Sequence, residues 1–504
     1  MLSRPEHPIR TPLGELADSL GARVVGDPAG VSVTGLTLSS QRVAPGDLYA
    51  AVPGTRVHGA QYAAGAIAAG AVAVLTDAVG LDLLGTVGVP VLEVAEPRAA
   101  LGELAAAING NPAAAFTLFG VTGTQGKTTT TRLLEAGLEQ AGIAAAVVGT
   151  VGTRIAGEDL KTALTTPEAP DLQALFAVMR EQGVRGCAIE VSSHALVMGR
   201  VDGVVFDVAG FVNLGRDHLD FHIDLEDYFA AKASLFTPER ARLGLTNIDD
   251  EYGRRLLATA PIEMRSFSPS GAEADWSVTD VDLAPAGSRF TVLAPDGTRI
   301  AAAVQLPGAF NVANALCAIA LAAEGGFDPI AVAAGIGRAA GVPGRLERID
   351  AGQDFLAVVD YAHKPDALAA ALGALRQITR GRLILVLGAG GDRDTGKRPL
   401  MGEIGARDAD VFVVTDDNPR SEDPALIRSA VLAGTELVGK DGRAQIHEIG
   451  DRAEAIAVAL GLASAGDTVL IAGKGHESGQ EIAGAVHPFD DRDQVRAWLT
   501  GSPR

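Results

Sequence analysis

The stretch "GVTGTQGKTTTTRLL", Gly120 to Leu134, sets a glycine turn and a lysine between an apolar run and a leucine pair. Upstream, "FTLFGVT" (residues 116–122) has the nearly unbroken apolar character of a buried strand. Downstream, Lys127 to Ala141 keeps helical spacing, and Gly142 stands where a helix end favours a left-handed residue. Strand, glycine turn and helix in that order aim backbone N–H groups and a helix N-terminus at one point, which suits a phosphate. Lys127 would then neutralise the outer phosphates of a nucleotide, and the Thr128 hydroxyl would reach Mg2+. The match to the pattern G-x-x-x-x-G-K-[ST] is imperfect, because Gly120 lies one residue too far upstream and Val121 takes the first-glycine position. An ordinary glycine turn capping a helix is the plainer alternative.

Working outward, the chain alternates strands and helices on both sides of this turn. Up to about Asn109, "VSVTGLTL", "GDLYAAV" and "AVAVLTD" read as strands separated by alanine-rich helices. After the turn, "AAAVVGTV", "GCAIEVSS" and "VFDVAGFVNL" alternate with helical segments such as "DLQALFAVMREQG", which predicts a mainly parallel sheet covered on both faces. A third series begins after "GVPGRLE": "FLAVVDYA", helix, "RLILVLGAGG", helix, "VFVVTDD", two helices, "TVLIAGKG". The expected fold is α/β in three domains: a small α/β domain at 1–110, a P-loop ATPase-like domain at 111–344 and a Rossmann-like doubly wound domain at 345–504.

Bulk properties narrow the function. At 504 residues, with 62 acidic against 42 basic side chains, the net charge is −20, which disfavours nucleic acid as a partner and demands a locally positive pocket for any anionic ligand. The opening "MLSRPEHPIRTPLGEL" lacks the apolar core of a signal peptide, and "GAIAAGAVAVL" is too short to span a bilayer, so a cytoplasmic protein without membrane insertion is expected. Cys187 and Cys317 are too few for a disulfide framework and read as buried small apolar residues.

Further polar motifs follow apolar strands, where open α/β sheets bind ligands: "EVSSHAL" (190–196) and "NLGRDHLDFH" (213–222). "YFAAKASLF" puts Tyr228, Lys232 and Phe236 on one expected helical face, so that Lys232 breaks an apolar stripe; a lysine there can simply snorkel to water. "LPGAFNVANALCA" places Asn311 and Asn314 one turn apart, suited to a purine edge or to capping the helix.

With "TGTQGKTTT" these motifs resemble, in order, those of the Mur ligases and folylpolyglutamate synthetases, in which the first glycine is shifted in the same way. The resemblance implies ATP contacts at Gly123, Thr124, Gln125, Gly126, Lys127, Thr128, Thr129, Asn311, Arg345 and Asp360, with Lys364 standing where many members have threonine. It implies Mg2+, with two ions expected, held by Thr128, Glu190, His218 and a CO2-derived carbamate on Lys232 (an N6-carboxylysine). Lys127, Glu190, His218 and Lys232 would be the catalytic set.

The N-terminal "LTLSSQRVAPGDLYAAVPGTRVHG" is similar to the UDP-binding segment of those Mur ligases that add the third peptide residue. Ser40 then aligns with a substrate-contacting serine, although Ser39 and Gln41 replace the frequent aspartate and arginine around it. Thr165, Thr166, Ser193 and Arg200 match positions near UDP-N-acetylmuramoyl-L-Ala-D-Glu. "TDDNPRSEDP" carries Asp417, Asn418 and Arg420, and in the family D-N-P-R marks ligases that add meso-diaminopimelate rather than L-lysine. The chemistry agrees: Arg420 can grip a distal carboxylate bidentately, and lysine has none. If the site is dry, lysine would leave the guanidinium unpaired, at about 3–5 kcal/mol. Arg393, Gly473 and Glu477 match the remaining amino-acid contacts, Glu477 facing the distal ammonium.

The reaction implied is ATP-driven phosphorylation of a peptide carboxylate followed by attack of an amine, in peptidoglycan precursor synthesis, by a monomer whose third domain closes on the second. The lysine-adding ligase, a folylpolyglutamate synthetase and a nucleotide-gated binding protein that has lost catalysis are the competing readings.

Overall fold

The computed structural model describes residues 4–162, 164–218 and 221–501, and positions 219 and 220 of the "NLGRDHLDFH" motif lie outside the described residues. Two compact units divide the chain at Phe267 and Ser268, with Cys317–Val332 belonging to the first.

In the first unit, an N-terminal sheet runs in the order Arg23–Val25, Val91–Glu93, Ala73–Thr76, Asp47–Ala50, Gly35–Thr37. Its last four strands are parallel. Leu48 and Ala50 enter one core while Tyr49 enters another on the opposite face, so "DLYA" is buried throughout and reads as a continuous apolar run rather than an alternating one. The central sheet of this unit has the order Glu158–Leu160, Gly152–Ile155, Ala145–Gly149, Gly186–Glu190, Thr117–Thr122, Phe206–Phe211, Ala241–Asn247, Glu263–Ser268. From Ala145–Gly149 onward its pairs are parallel, whereas the two strands at the Glu158 end are antiparallel additions that apolar patterning does not reveal. Thr117–Thr122 is central: Glu190 pairs with Val121 on one side and Phe211 with Thr122 on the other. Whatever follows these three strands therefore emerges at one edge, side by side.

The second unit holds an antiparallel set, Trp276–Ala284, Gly287–Leu293 and Arg299–Val304, and a six-stranded sheet. The latter runs Glu347–Ile349, Leu356–Asp360, Thr468–Ala472, Leu383–Leu387, Val411–Val414, Gln445–Glu448, parallel except for its first strand. Apolar cores lie on both faces, as a doubly wound sheet requires. The expected α/β class holds. Two expectations are corrected. Between helices Pro424–Thr435 and Arg452–Leu462, expected to be consecutive, lies the edge strand Gln445–Glu448. Helix Leu225–Ala233 ends before Phe236, because tight turns from Leu235 N–H to Lys232 O and Phe236 N–H to Ala233 O close it ahead of Pro238. Among the described residues no helix is long and apolar enough to cross a membrane.

The C-terminal helix Asp491–Thr500 is fastened by a buried ion pair. Arg452 reaches both oxygens of Asp491 at 2.7 Å and the Ala472 carbonyl at 3.0 Å, with both charged side chains fully buried. Removing one partner strands the other charge in the core. Asp491→Asn should lower unfolding free energy in urea by about 3–5 kcal/mol; a loss below about 1 kcal/mol, the range of an exposed pair, would show that solvent reaches it.

Candidate functional site

The turn after Thr117–Thr122 depends on Gly123, whose φ of +148° and lack of a side chain admit the neighbouring chain. A Cβ there would stand 2.3 Å from Val212 Cγ2 and 3.1 Å from the Asn213 carbonyl. Asn213, which sequence reasoning left without a role, then stitches the turn. Its Oδ1 accepts from the N–H groups of Thr124 (3.2 Å) and Gln125 (2.9 Å), and its Nδ2 donates to the Gln125 carbonyl (3.1 Å). The N–H groups left for an anion are thus those of the first turn of helix Lys127–Gln140, entered through Gly126 at φ +88°. Gln125 itself is exposed.

Two ammonium groups meet at this turn. Lys127 Nζ donates to the carbonyls of Gly123 (2.7 Å) and Thr124 (3.0 Å). Lys232 Nζ, from a helix more than a hundred residues along, donates to the same Gly123 carbonyl at 2.8 Å and lies 4.5 Å over the Tyr228 ring. Lys232 is 1% exposed, which excludes the snorkelling alternative. Tyr228 links to the loop through Thr124 Oγ1 (3.3 Å), and burial raises its phenol well above the usual range.

Glu190, at the end of the adjacent strand, is buried and fully engaged. Its Oε2 accepts from Thr128 Oγ1 (2.9 Å) and Thr150 Oγ1 (3.1 Å), and its Oε1 from Thr150 N–H (2.8 Å). Thr165 meets Thr150 hydroxyl to hydroxyl (3.1 Å), and the fully buried Thr166 donates to the Glu190 carbonyl (2.6 Å). Thr129 is buried on the helix above. Thr128 and Glu190 together offer a hydroxyl and a carboxylate, hard oxygen donors of the kind Mg2+ prefers. His218, at φ +52°, sits beside Asp217 (3.4 Å), with its ring 6.1 Å from that of Tyr228. Among the described residues no group of three His, Cys, Asp or Glu side chains gathers as a metal cage.

Of the remaining residues expected near a peptide substrate, Arg200 is held by Glu168 (2.9 Å), which Arg98 also reaches (3.2 Å). Ser193 forms a chain that the sequence did not announce: its Oγ meets His222 Nε2 (2.9 Å), and His222 Nδ1 meets Asp227 (3.0 Å). Ser40 is half-buried in the turn after Gly35–Thr37, near where Arg42 reaches Asp171 (3.1 Å).

The phosphate-loop helix also carries Glu135, buried with Oε1 3.5 Å from Arg154 and without a hydrogen-bond partner among the described residues. Burial, reinforced by Glu139, outweighs Arg132 and Arg154 and pushes this carboxyl from 4.5 up to about 7.

In the second unit, the other residues expected at ATP are placed as follows. Asn311 Nδ2 donates to the Pro307 carbonyl (2.8 Å) and its Oδ1 accepts from Asn314 (3.1 Å), so both ends of its amide serve the capping arrangement. Asp360 accepts from the N–H groups of Leu346 (2.7 Å) and Ala362 (2.8 Å), and burial raises its carboxyl despite Arg345. The Arg345 guanidinium lies 4.7 Å over the Tyr361 ring. Lys364 forms the half-buried N-cap of helix Pro365–Ile378. His363, missed in the sequence, is held neutral by burial, its imidazole lowered to about 4.

The "DNPR" turn is paired to the hairpin Gly479–Ile482/Ala485–Pro488, with Arg420 at φ +53° and its N–H on the Glu481 carbonyl (3.0 Å). The Arg420 guanidinium already has partners, Glu481 at 3.1 Å and the Gly391 carbonyl at 2.5 Å, and is 23% exposed. That corrects the expectation of a dry arginine left unpaired by lysine, because Glu481 satisfies it within the chain. Asn418 donates to Glu477 (3.0 Å). Gly473, at φ +114°, permits Asp417 to approach, since a Cβ would be 2.8 Å from its Oδ2. Arg393 is exposed on the neighbouring loop. Lys474, absent from the expected set, stands among these residues, 3.6 Å from Asp417 and between two positive-φ glycines.

Three family models match successive parts of the chain: "Mur ligase family, catalytic domain" at 32–109, "Mur ligase middle domain" at 121–322 and "Mur ligase, glutamate ligase domain" at 344–475. Among similar proteins, the UDP-N-acetylmuramoyl-L-alanyl-D-glutamate–2,6-diaminopimelate ligase of Streptomyces coelicolor is 54% identical, covering 98% of this chain and 97% of its own. Its namesake in Corynebacterium glutamicum is 52% identical, covering 96% and 94%. A solved structure bearing the same enzyme name superposes with a TM-score of 0.70 at 33% identity, covering 98% of this chain and 99% of that one.

Glu135 yields a pH test. Its raised value means that the folded chain keeps a proton the unfolded chain has released, so its stabilising share is present below about 4.5 and lost as pH rises through about 7. Glu135→Gln should exceed the wild type in urea unfolding at pH 8 by about 3 kcal/mol, with the gap closing below pH 5. A pH-independent difference would place the carboxyl at its ordinary value.

Proposed function

The chain belongs to the Mur ligase family, and from that premise we propose that it is an ATP-dependent amide ligase joining meso-diaminopimelate to UDP-N-acetylmuramoyl-L-Ala-D-Glu in peptidoglycan precursor synthesis. The observation that carries the reading is the convergence of Lys127 and the N-terminus of helix Lys127–Gln140 on the Gly123 turn, with Glu190 bound to Thr128 beside them. A polyanion needs such local positive charge on a chain whose net charge is −20.

In this reading residues 1–110, 111–344 and 345–504 are the sugar-nucleotide, ATP and amino-acid domains, and ATP as substrate implies a cytoplasmic location. Lys127 and the helix N-terminus hold the outer phosphates while a carboxylate oxygen of the peptide substrate attacks the terminal phosphorus and ADP leaves. The amine then attacks the acyl carbon and phosphate departs, giving the amide. No nucleophile of the chain is consumed; positioning and charge do the work. Thr128 and Glu190 would hold one Mg2+, and His218 with a carbamate on Lys232 a second. Such ions draw charge off the phosphoryl oxygens. The carbamate forms when the neutral Lys232 amine adds to CO2 and releases a proton. Arg200, Ser193, Thr165 and Ser40 serve the sugar-nucleotide peptide, and Arg420, Arg393, Asn418, Asp417, Gly473 and Glu477 the amino acid.

Offered ATP, Mg2+ and the muramoyl-dipeptide, the protein should yield a product whose mass carries diaminopimelate, and far less of the lysine adduct. Equal use of both amino acids would remove the substrate assignment. Arg420→Ala should lower kcat/KM for diaminopimelate by about 10–100-fold, the value of one charge-assisted contact, and an unchanged constant would exclude Arg420 from the site. With 13C-labelled bicarbonate, a carbamate carbon resonance should appear in the wild type and vanish in Lys232→Ala; identical spectra would exclude the carbamate.

A further inference from the structure

We infer that Lys474 is a specificity-determining residue, whose buried ammonium sets the charge of the amino-acid site so that a distal centre bearing both ammonium and carboxylate is favoured over one bearing ammonium alone. The inference rests on the amino-acid site proposed above.

Lys474 is fully buried, a placement that costs a lysine several kcal/mol unless oxygens surround it. Its Nζ lies 3.0 Å from Asn418 Oδ1, 3.3 Å from Glu477 Oε2 and 3.6 Å from Asp417 Oδ1. All three neighbours belong to the two motifs that face the amino acid. Close approach is built into the backbone: Gly473 and Gly475 take φ of +114° and +54°, and a Cβ on Gly475 would stand 2.7 Å from Tyr361 Cβ. The lysine also fixes an orientation. Asn418 Oδ1 accepts from Lys474 and from the Glu481 N–H (3.0 Å), so its Nδ2 must turn to Glu477.

Asp417, Glu477 and Glu481 face Lys474 and Arg420 here, with Arg393 exposed on the neighbouring loop. Loss of Lys474 leaves the cluster one charge more negative. The distal centre of diaminopimelate is a neutral zwitterion, whereas the end of lysine is a cation. A more negative site gains most for the cation, so Lys474 works as a repulsive element against lysine while Arg420 attracts the carboxylate. This selection does not need an unpaired arginine, which Glu481 has removed.

The test measures kcat/KM of the full-length protein for diaminopimelate and for L-lysine, with ATP and the muramoyl-dipeptide saturating. Lys474→Met should lower the constant for diaminopimelate while that for lysine holds or rises. The preference ratio then falls at least tenfold or so. Because an empty buried site can impair folding, Asn418→Asp serves as a second variant that keeps Lys474 and adds a negative charge beside it; its ratio should move in the same direction. Nucleotide binding, measured by the thermal shift with ATP, reports whether each variant is folded. A ratio that stays within twofold of wild type in both variants, with both constants falling together, gives Lys474 a purely structural role and overturns the inference. Failure of the wild type to use either amino acid would overturn the underlying reading instead, and so is a distinguishable result.

Discussion

Two lysines share one carbonyl oxygen, and the arrangement of the glycine turn in the first unit follows from that. Gly123 can turn its carbonyl toward both Nζ atoms only because it lies at φ +148° with Val212 and Asn213 packed where a side chain would be. Lys232 reaches it through a helix whose Tyr228 is anchored on Thr124, and Asn213 holds the next two N–H groups. Like charges a few ångströms apart repel, and in the proposed function a carbamate on Lys232 removes that repulsion. Glu190, bound to the Thr128 hydroxyl, adds a carboxylate at the start of the same helix. A nucleotide polyphosphate is the ligand class that such a cluster fits best.

The second unit solves a different electrostatic problem with the same economy. In the proposed function the ligand there is a zwitterion, and the turn carrying Arg420 and Asn418 is balanced by acidic groups from the segment around Gly473–Glu481. Each buried cation has a defined partner: Arg452 with Asp491, Arg398 with Glu422, and Lys474 with Asp417 and Glu477. Such pairs add less to stability than to geometry, since breaking one leaves a charge with nowhere to go.

The sequence disclosed the parallel core because its strands are buried on both faces and read as apolar runs, from "FTLFGVT" to "TVLIAGKG". It concealed the strands at sheet edges, Glu158–Leu160 and Gln445–Glu448, whose polar residues alternate too weakly to mark them. That Lys127, Thr128 and Glu190 come together was legible because their motifs follow strands at one sheet edge. Asn213, Thr150 and Lys474 were not, because each acts through side-chain contacts between segments 56 to 88 residues apart, or 40 for Thr150, and spacing carries no trace of them. For Arg420 the residue type suggested a guanidinium awaiting a carboxylate, while the hairpin partner that already supplies one is visible only in three dimensions.

In the proposed reaction ATP activates a substrate carboxylate as an acyl phosphate. Muramoyl-dipeptide labelled with 18O in its reacting carboxylate tests this, by mass analysis of the phosphate released during turnover with diaminopimelate. One labelled oxygen is expected in each phosphate, carried over when the amine displaces it from the acyl carbon. Unlabelled phosphate accompanying amide formation would rule out the acyl phosphate.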